Sequence, residues 1–219
     1  MKKQSSKNTI ADNKQTKLAV IIPAPNWKTM AVRIVGDTSL ISHKFSAKAK
    51  RKMLSKQRGE IQGPREVKDP QADFLASLHE IPGKRNVYGF PAGGFKLSCM
   101  FAGSFIEGLS KNKNLIRGGL RILGGPGDLI ELIHPVTGRP AEPKIREDDV
   151  RVGMTTDLRY RGEFHEWAAI LKVSYNADVL APAHVVNIIN QAGHTSGVGS
   201  WRPSSGRPGN HGLFHVEAN

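Results

Sequence analysis

Apolar and polar positions alternate most cleanly in HEWAAILKVSYN (165–176). Trp167, Ala169, Leu171, Val173 and Tyr175 share one face there, with Lys172 and Ser174 opposite, which predicts a half-buried strand. WKTMAVRIVGDT (27–38) alternates in the same way through Met30, Val32 and Ile34, and ends at Gly36-Asp37. Short strands are predicted at 120–123, at 129–133 and at about 212–217. A period nearer 3.6 marks the helices. PAHVVNIINQAG opens at Pro182, sets Val185, Val186, Ile189 and Ala192 on one side, and meets a stop at Gly193. Residues 88–108 predict a buried helix starting near Pro91, with a stripe of Phe95, Cys99, Ala102 and Ile106 flanked by Leu97, Met100, Phe101 and Phe105. A short helix is expected within 69–80. Another, capped by Ser46 and running to about Lys56, has so thin an apolar face (Ala47, Ala49, Met53, Leu54) that it belongs on the surface.

Residues 135–163, rich in proline, glycine and charge, are expected to be an irregular loop. Without that loop and a basic helical insertion at about 42–68, the order is strand, helix, strand, strand, helix, strand. The expected fold is therefore α+β and ferredoxin-like, with two helices on one face of an antiparallel sheet and the other face left for a partner. A flexible basic arm (1–26) would precede a single domain (27–219).

Composition adds a soluble character: 38% hydrophobic and 23% charged residues in 219, with no apolar run long enough to span a membrane. MKKQSSKNTIADNKQTK has charge but no apolar stretch behind it, so no signal peptide is expected. Cys99, the only cysteine, can make no internal disulfide. The net charge of +13 changes the picture more, because of where it lies. Residues 1–17 hold five lysines against one acid, and 44–68 hold nine basic residues against two. The last 151 residues are close to neutral. Such asymmetry points to a polyanionic partner, phosphate backbones above all, or else to a solvated basic helix and tail.

Three stretches carry candidate binding chemistry. Lys44, Lys48, Lys50, Arg51, Lys52, Lys56 and Arg58 would surround an exposed helix with positive charge. REDDVRVGMTTDLRYRGEF (146–164) interleaves Arg146, Arg151, Arg159 and Arg161 with Tyr160 and Phe164, a composition suited to stacking on unpaired bases. The closing segment GVGSWRPSSGRPG offers Gly197 and Gly199 for close backbone approach to phosphate, Arg202 and Arg207 for charge, and Trp201 as a stacking surface or a core plug. Its order, helix then glycines then strand, is wrong for a dinucleotide fingerprint. Asp148 and Asp149 sit beside arginines and read as ion-pair partners, not metal ligands. There is no HExxH, no zinc-type cysteine set and no GxSxG, so no catalytic residue, metal or cofactor is expected.

Taken together, LISHKFSAKAKRKML, DPQADF, YGFPAGGFK, REDDVRVG with DLRYRGEF, VSYNADV and GVGSWRPSSGRPGNHGLFHVE resemble a family of uncharacterised proteins of tailed bacteriophages, over residues 30–217. More remotely, the chain resembles the RAMP superfamily of CRISPR backbone proteins, which carry a glycine-rich loop between the last helix and last strand. Gly197, Gly199, Gly206, Gly209 and Gly212 occupy that place, although Pro203 and Pro208 interrupt the loop, so the match is one of position. The resemblance implies binding along single-stranded DNA or RNA, often as a head-to-tail homo-oligomeric filament, in the cytoplasm of the bacterial host. The alternative expectation is a structural virion or assembly protein whose basic arm faces packaged DNA or a partner subunit.

Overall fold

The computed structural model describes residues 23–60, 67–108, 114–152 and 154–218. Most of the expected arm (1–22) and part of the expected basic insertion (61–66) lie outside them.

The two alternating segments pair with each other. β1 (Trp27–Gly36) runs antiparallel to β8 (Ala168–Asn176), with Val32 opposite Leu171 and Ile34 opposite Ala169. β4 (Leu120–Leu123), which follows the short helix α4 (Asn114–Gly119), adds to the far side of β8, and β9 (Phe214–Val216) to the far side of β1, giving the order β4-β8-β1-β9 with every neighbour antiparallel. α3 (Ala92–Ala102) and α5 (Pro182–Thr195) cover one face of this sheet. Phe95, Cys99, Ala102, Val185, Ile188 and Ile189 pack there against Ile34, Leu171 and Val173. The approach of α5 depends on Gly193, where a Cβ would stand 1.8 Å from the Phe214 carbonyl oxygen. Trp167, fully buried just before β8, donates from Nε1 to the Thr38 carbonyl at 2.9 Å. The protein is thus an α+β molecule built on antiparallel sheets.

Cys99 lies inside this core, and burial pushes its thiol up to about 12. The native protein is expected to show no reaction with a thiol reagent at pH 8, and one thiol per chain after denaturation; rapid native labelling would contradict the packing.

A second sheet, β2-β7-β6, corrects the expectation for 135–163. β6 (Lys144–Val152) and β7 (Thr155–Phe164) form a long hairpin, with β2 (Leu40–Ser42) on the other side of β7. The hairpin lacks an apolar alternation because one of its faces is lined by paired charges. Arg146 stands opposite Arg161, and Lys144 opposite Glu163. Its other face is seated by α2 (Pro70–Ala76), which Asp69 caps through Ala72 N–H at 3.0 Å. Ser77 then accepts from Gly162 N–H at 2.8 Å, and Ser42 Oγ donates to the Ser77 carbonyl.

The expected helix over 88–108 is also shorter and less buried. Residues 89–91 instead form β3 (Gly89–Pro91), paired with β5 (Leu129–Glu131). Leu97, Phe101 and Phe105 are exposed, at 61%, 41% and 60%. The basic helix α1 (Ala47–Gln57) forms as expected, with Ser46 accepting from Ala49 N–H, and buries no residue. Among the described residues, no helix is long and apolar enough to cross a membrane.

Candidate nucleic-acid interface

The charged face of the β6–β7 hairpin looks toward the loop between α5 and β9, and a cleft of about 470 Å³ opens between them. Arg151, Arg159 and Arg161 line it from the hairpin. Gly199, Trp201, Arg202 and Arg207 line it from the loop, and His43 from the end of β2. Seven of the sixteen residues singled out in the sequence therefore meet at one place, and among the described residues no carboxylate lines it.

Behind the cleft lies a buried ion network. Arg161, only 4% exposed, donates from Nε and Nη2 to Asp148 at 3.0 and 2.5 Å. Arg146 bridges Asp148 at 2.7 Å and Glu163 at 3.0 Å. Ser39 Oγ donates to Glu163 at 2.5 Å and lies 3.0 Å from His211 Nδ1. Trp201 rests on this network, its ring 5.0 Å from the Arg161 guanidinium and 5.3 Å from that of Arg146. Arg161 is therefore a wall of the site whose charge is already matched. Arg202 and Arg207 differ: Arg202 donates to the Gly199 carbonyl at 2.8 Å and to Ser204, and Arg207 to the Arg151 carbonyl at 3.3 Å. Neutral acceptors hold these guanidiniums in place without cancelling their charge.

Of the two glycine amides expected to approach phosphate, that of Gly197 is already used, as are two of its neighbours. Gly197 N–H donates to Ala192, Val198 N–H to Gly212 and Ser200 N–H to Ile41, so these amides are already occupied. Gly199, at φ +82°, sits where a Cβ would be 2.7 Å from the Ile41 carbonyl oxygen. Its role is to press the loop onto β2.

A second groove, of about 350 Å³, shares His43, Arg159 and Arg161 with the cleft. Lys44, Ala49 and Tyr160 line it. The twofold period of β7 turns Tyr160 away from Arg159 and Arg161, and its hydroxyl bonds to Glu147. Lys48, Lys50, Arg51, Lys52 and Lys56 stand on α1 outside both grooves, and Arg58 follows them, 3.9 Å from Glu60. Sequence reasoning missed His43 and Glu163 as members of this site, and took Arg146 for a stacking arginine where it belongs to the ion network. Burial, then the charges of Arg161 and Arg159, lowers the His43 pKa below its ordinary 6.5.

Glu163 makes the network sensitive to acid. Burial alone would raise its pKa, but the Ser39 hydroxyl, Arg146 and His165 outweigh it and hold the carboxyl below its ordinary 4.5. A lowered folded-state pKa means stability that is present above 4.5 and lost as pH falls through the folded value. The melting temperature is expected to drop as pH falls from 5 to 3, and to drop less in Glu163→Gln. Equal slopes for the two proteins would remove Glu163 from the acid transition.

No protein-family model and no curated protein matches this chain. Among solved structures it is similar to Cmr6 from Pyrococcus furiosus, with a TM-score of 0.40 and 9% sequence identity over 88% of this chain and 98% of that one.

Proposed function

We propose that this is a phage-encoded, sequence-tolerant protein that binds single-stranded DNA or RNA and assembles head to tail along the strand. The observation that carries the proposal is the arginine cleft. Arginines from the hairpin and from the glycine-rich loop converge on one cavity whose described lining holds no carboxylate, and Trp201 stands at its wall. Phosphates would sit against Arg159, Arg202 and Arg207, and the basic residues of α1 would extend the field along the strand. The strand order β4-β8-β1-β9, with α3 and α5 on one face, supports a ferredoxin-like core beneath the added hairpin. The position of the glycine-rich loop favours the RAMP resemblance. The proposal assigns the protein no catalytic role and no metal.

The test is fluorescence anisotropy with labelled oligonucleotides of about 30 nucleotides, as single-stranded DNA, RNA and duplex, at two salt concentrations. The expected result is tighter binding to single strands that weakens with salt without vanishing. Equal binding to duplex that disappears in salt would replace this proposal with that of a virion or assembly protein facing packaged DNA.

A further inference from the structure

β9 covers only the last part of the edge of β1. It pairs with Ile34, Val35 and Gly36, and Glu217 N–H donates to the Arg33 carbonyl, whereas β1 begins at Trp27. Strand parity shows which backbone groups remain. The Asn26 carbonyl accepts from Ala177 N–H, and Gly36 N–H donates to Trp167, both on the β8 side. Even-numbered residues of β1 therefore turn to β8, and the amides and carbonyls of Thr29 and Ala31 turn to the other edge. Among the described residues, no strand pairs with them there.

A groove of about 610 Å³ follows that edge. Met30 and Val32 line it, with Ile170 on one face of the sheet, Val186 of α5 on the other, and Val216 where β9 ends. Ile170 is 55% exposed, a large apolar side chain open to solvent. The outer edge of β9 itself is capped, since Val216 N–H donates to Asn190 Oδ1 at 3.0 Å. Of these two edges, the β1 stretch is the one that offers both backbone groups and apolar walls, the two requirements for adding a strand.

The sequence contains a matching apolar segment. Leu18-Ala19-Val20-Ile21-Ile22 are five consecutive apolar residues after a lysine-rich polar run. Being apolar on both faces, they suit a slot with Ile170 on one side and Val186 on the other. The described link that joins them to β1 does not turn back toward the slot of its own chain. Residues 23–26 contain no turn or bend, all are exposed, and Asn26 N–H is tied to Asp178. Pro25 also holds Ala24 extended. The described link thus meets β1 along the line of the strand, which carries Pro23 roughly 23 Å from Met30 at about 3.3 Å per residue.

We propose that residues 18–22 of one copy add as a strand to the Thr29–Ala31 edge of a second copy. Donor segment and acceptor groove are different surfaces, so the contact is heterologous and each added copy presents a new acceptor. The inference rests on the head-to-tail part of the function proposed above and not on the nucleic acid, which the experiment therefore omits.

Sedimentation velocity of the full chain up to about 100 µM is the test, since assembly is set by mass action. The wild type is expected to form dimers and larger multiples of 23.9 kDa. A donor variant, Val20→Asp with Ile21→Asp, and an acceptor variant, Ile170→Glu, are each expected to stay monomeric with an unchanged circular dichroism spectrum. Mixed together they should give a one-to-one dimer that grows no further, because each retains one working half. A monomeric wild type, variants that assemble as it does, or a mixture that stays monomeric would overturn the proposal. So would a wild type that is monomeric while the donor variant melts earlier, which would mean that the segment closes its own edge.

Discussion

Replacing Asp148 with alanine is expected to lower the stability of the fold by about 3–5 kcal/mol, the usual cost of stranding a buried charge. Asp148 is 5% exposed and receives hydrogen bonds from both Arg146 and Arg161. Those two arginines stand directly opposite each other on neighbouring strands, an arrangement that repels unless a carboxylate lies between them. Without Asp148, Arg161 keeps a buried guanidinium with no anion of its own, and the arginine pair faces itself. Denaturant unfolding followed by tryptophan fluorescence reads the loss. Asp148→Asn, which keeps an acceptor but not the charge, should fall between the wild type and the alanine variant. A loss under about 1 kcal/mol for alanine would mean that the network is open to solvent.

The second large effect concerns binding. Converting Arg159, Arg202 and Arg207 together to glutamine is expected to weaken single-strand binding about 100-fold at low salt, at roughly 1 kcal/mol for each arginine bond to phosphate that is reduced to the weaker bond a neutral amide donates. The salt dependence should flatten by about 2 units of slope, since each phosphate on a single strand contributes about 0.7. Glutamine keeps a donor near the Gly199 carbonyl that Arg202 now reaches, so the loop retains part of its support. Anisotropy at several salt concentrations measures both quantities. Wild-type affinity and slope in a folded triple variant would move the binding surface elsewhere, with α1 the next candidate.

The core is legible where burial writes itself into side-chain alternation. β1, β8, α5 and the middle of α3 can be read because Ile34, Leu171, Ile189 and Phe95 recur at the period of their element. The hairpin cannot, because Arg146, Asp148, Arg161 and Glu163 occupy the positions where a strand usually shows apolar residues. β2 is only three residues long, too short for any period to register. The arginines of the cleft are identifiable by residue type alone. Their convergence is not, since it depends on β7 and the final loop meeting across Ile41. Tyr160 shows the opposite error, because adjacency along a strand places it on the other face from its arginine neighbours.

The central position of β1 has a consequence for synthesis on the ribosome. Among the described strands the first made is flanked by the last two, and His215 beside β1 reaches back to Asp37, 178 residues earlier. Until residues 168–176 and then 214–216 emerge, Val32 and Ile34 have no sheet to join. Contacts of such long separation form slowly, and an apolar strand held unpaired through translation is open to association with other nascent chains. The charged segment 44–68, which follows β1 out of the exit tunnel, places nine basic side chains beside that strand during the wait. Mutual repulsion between neighbouring nascent chains would then protect the strand until its partners arrive.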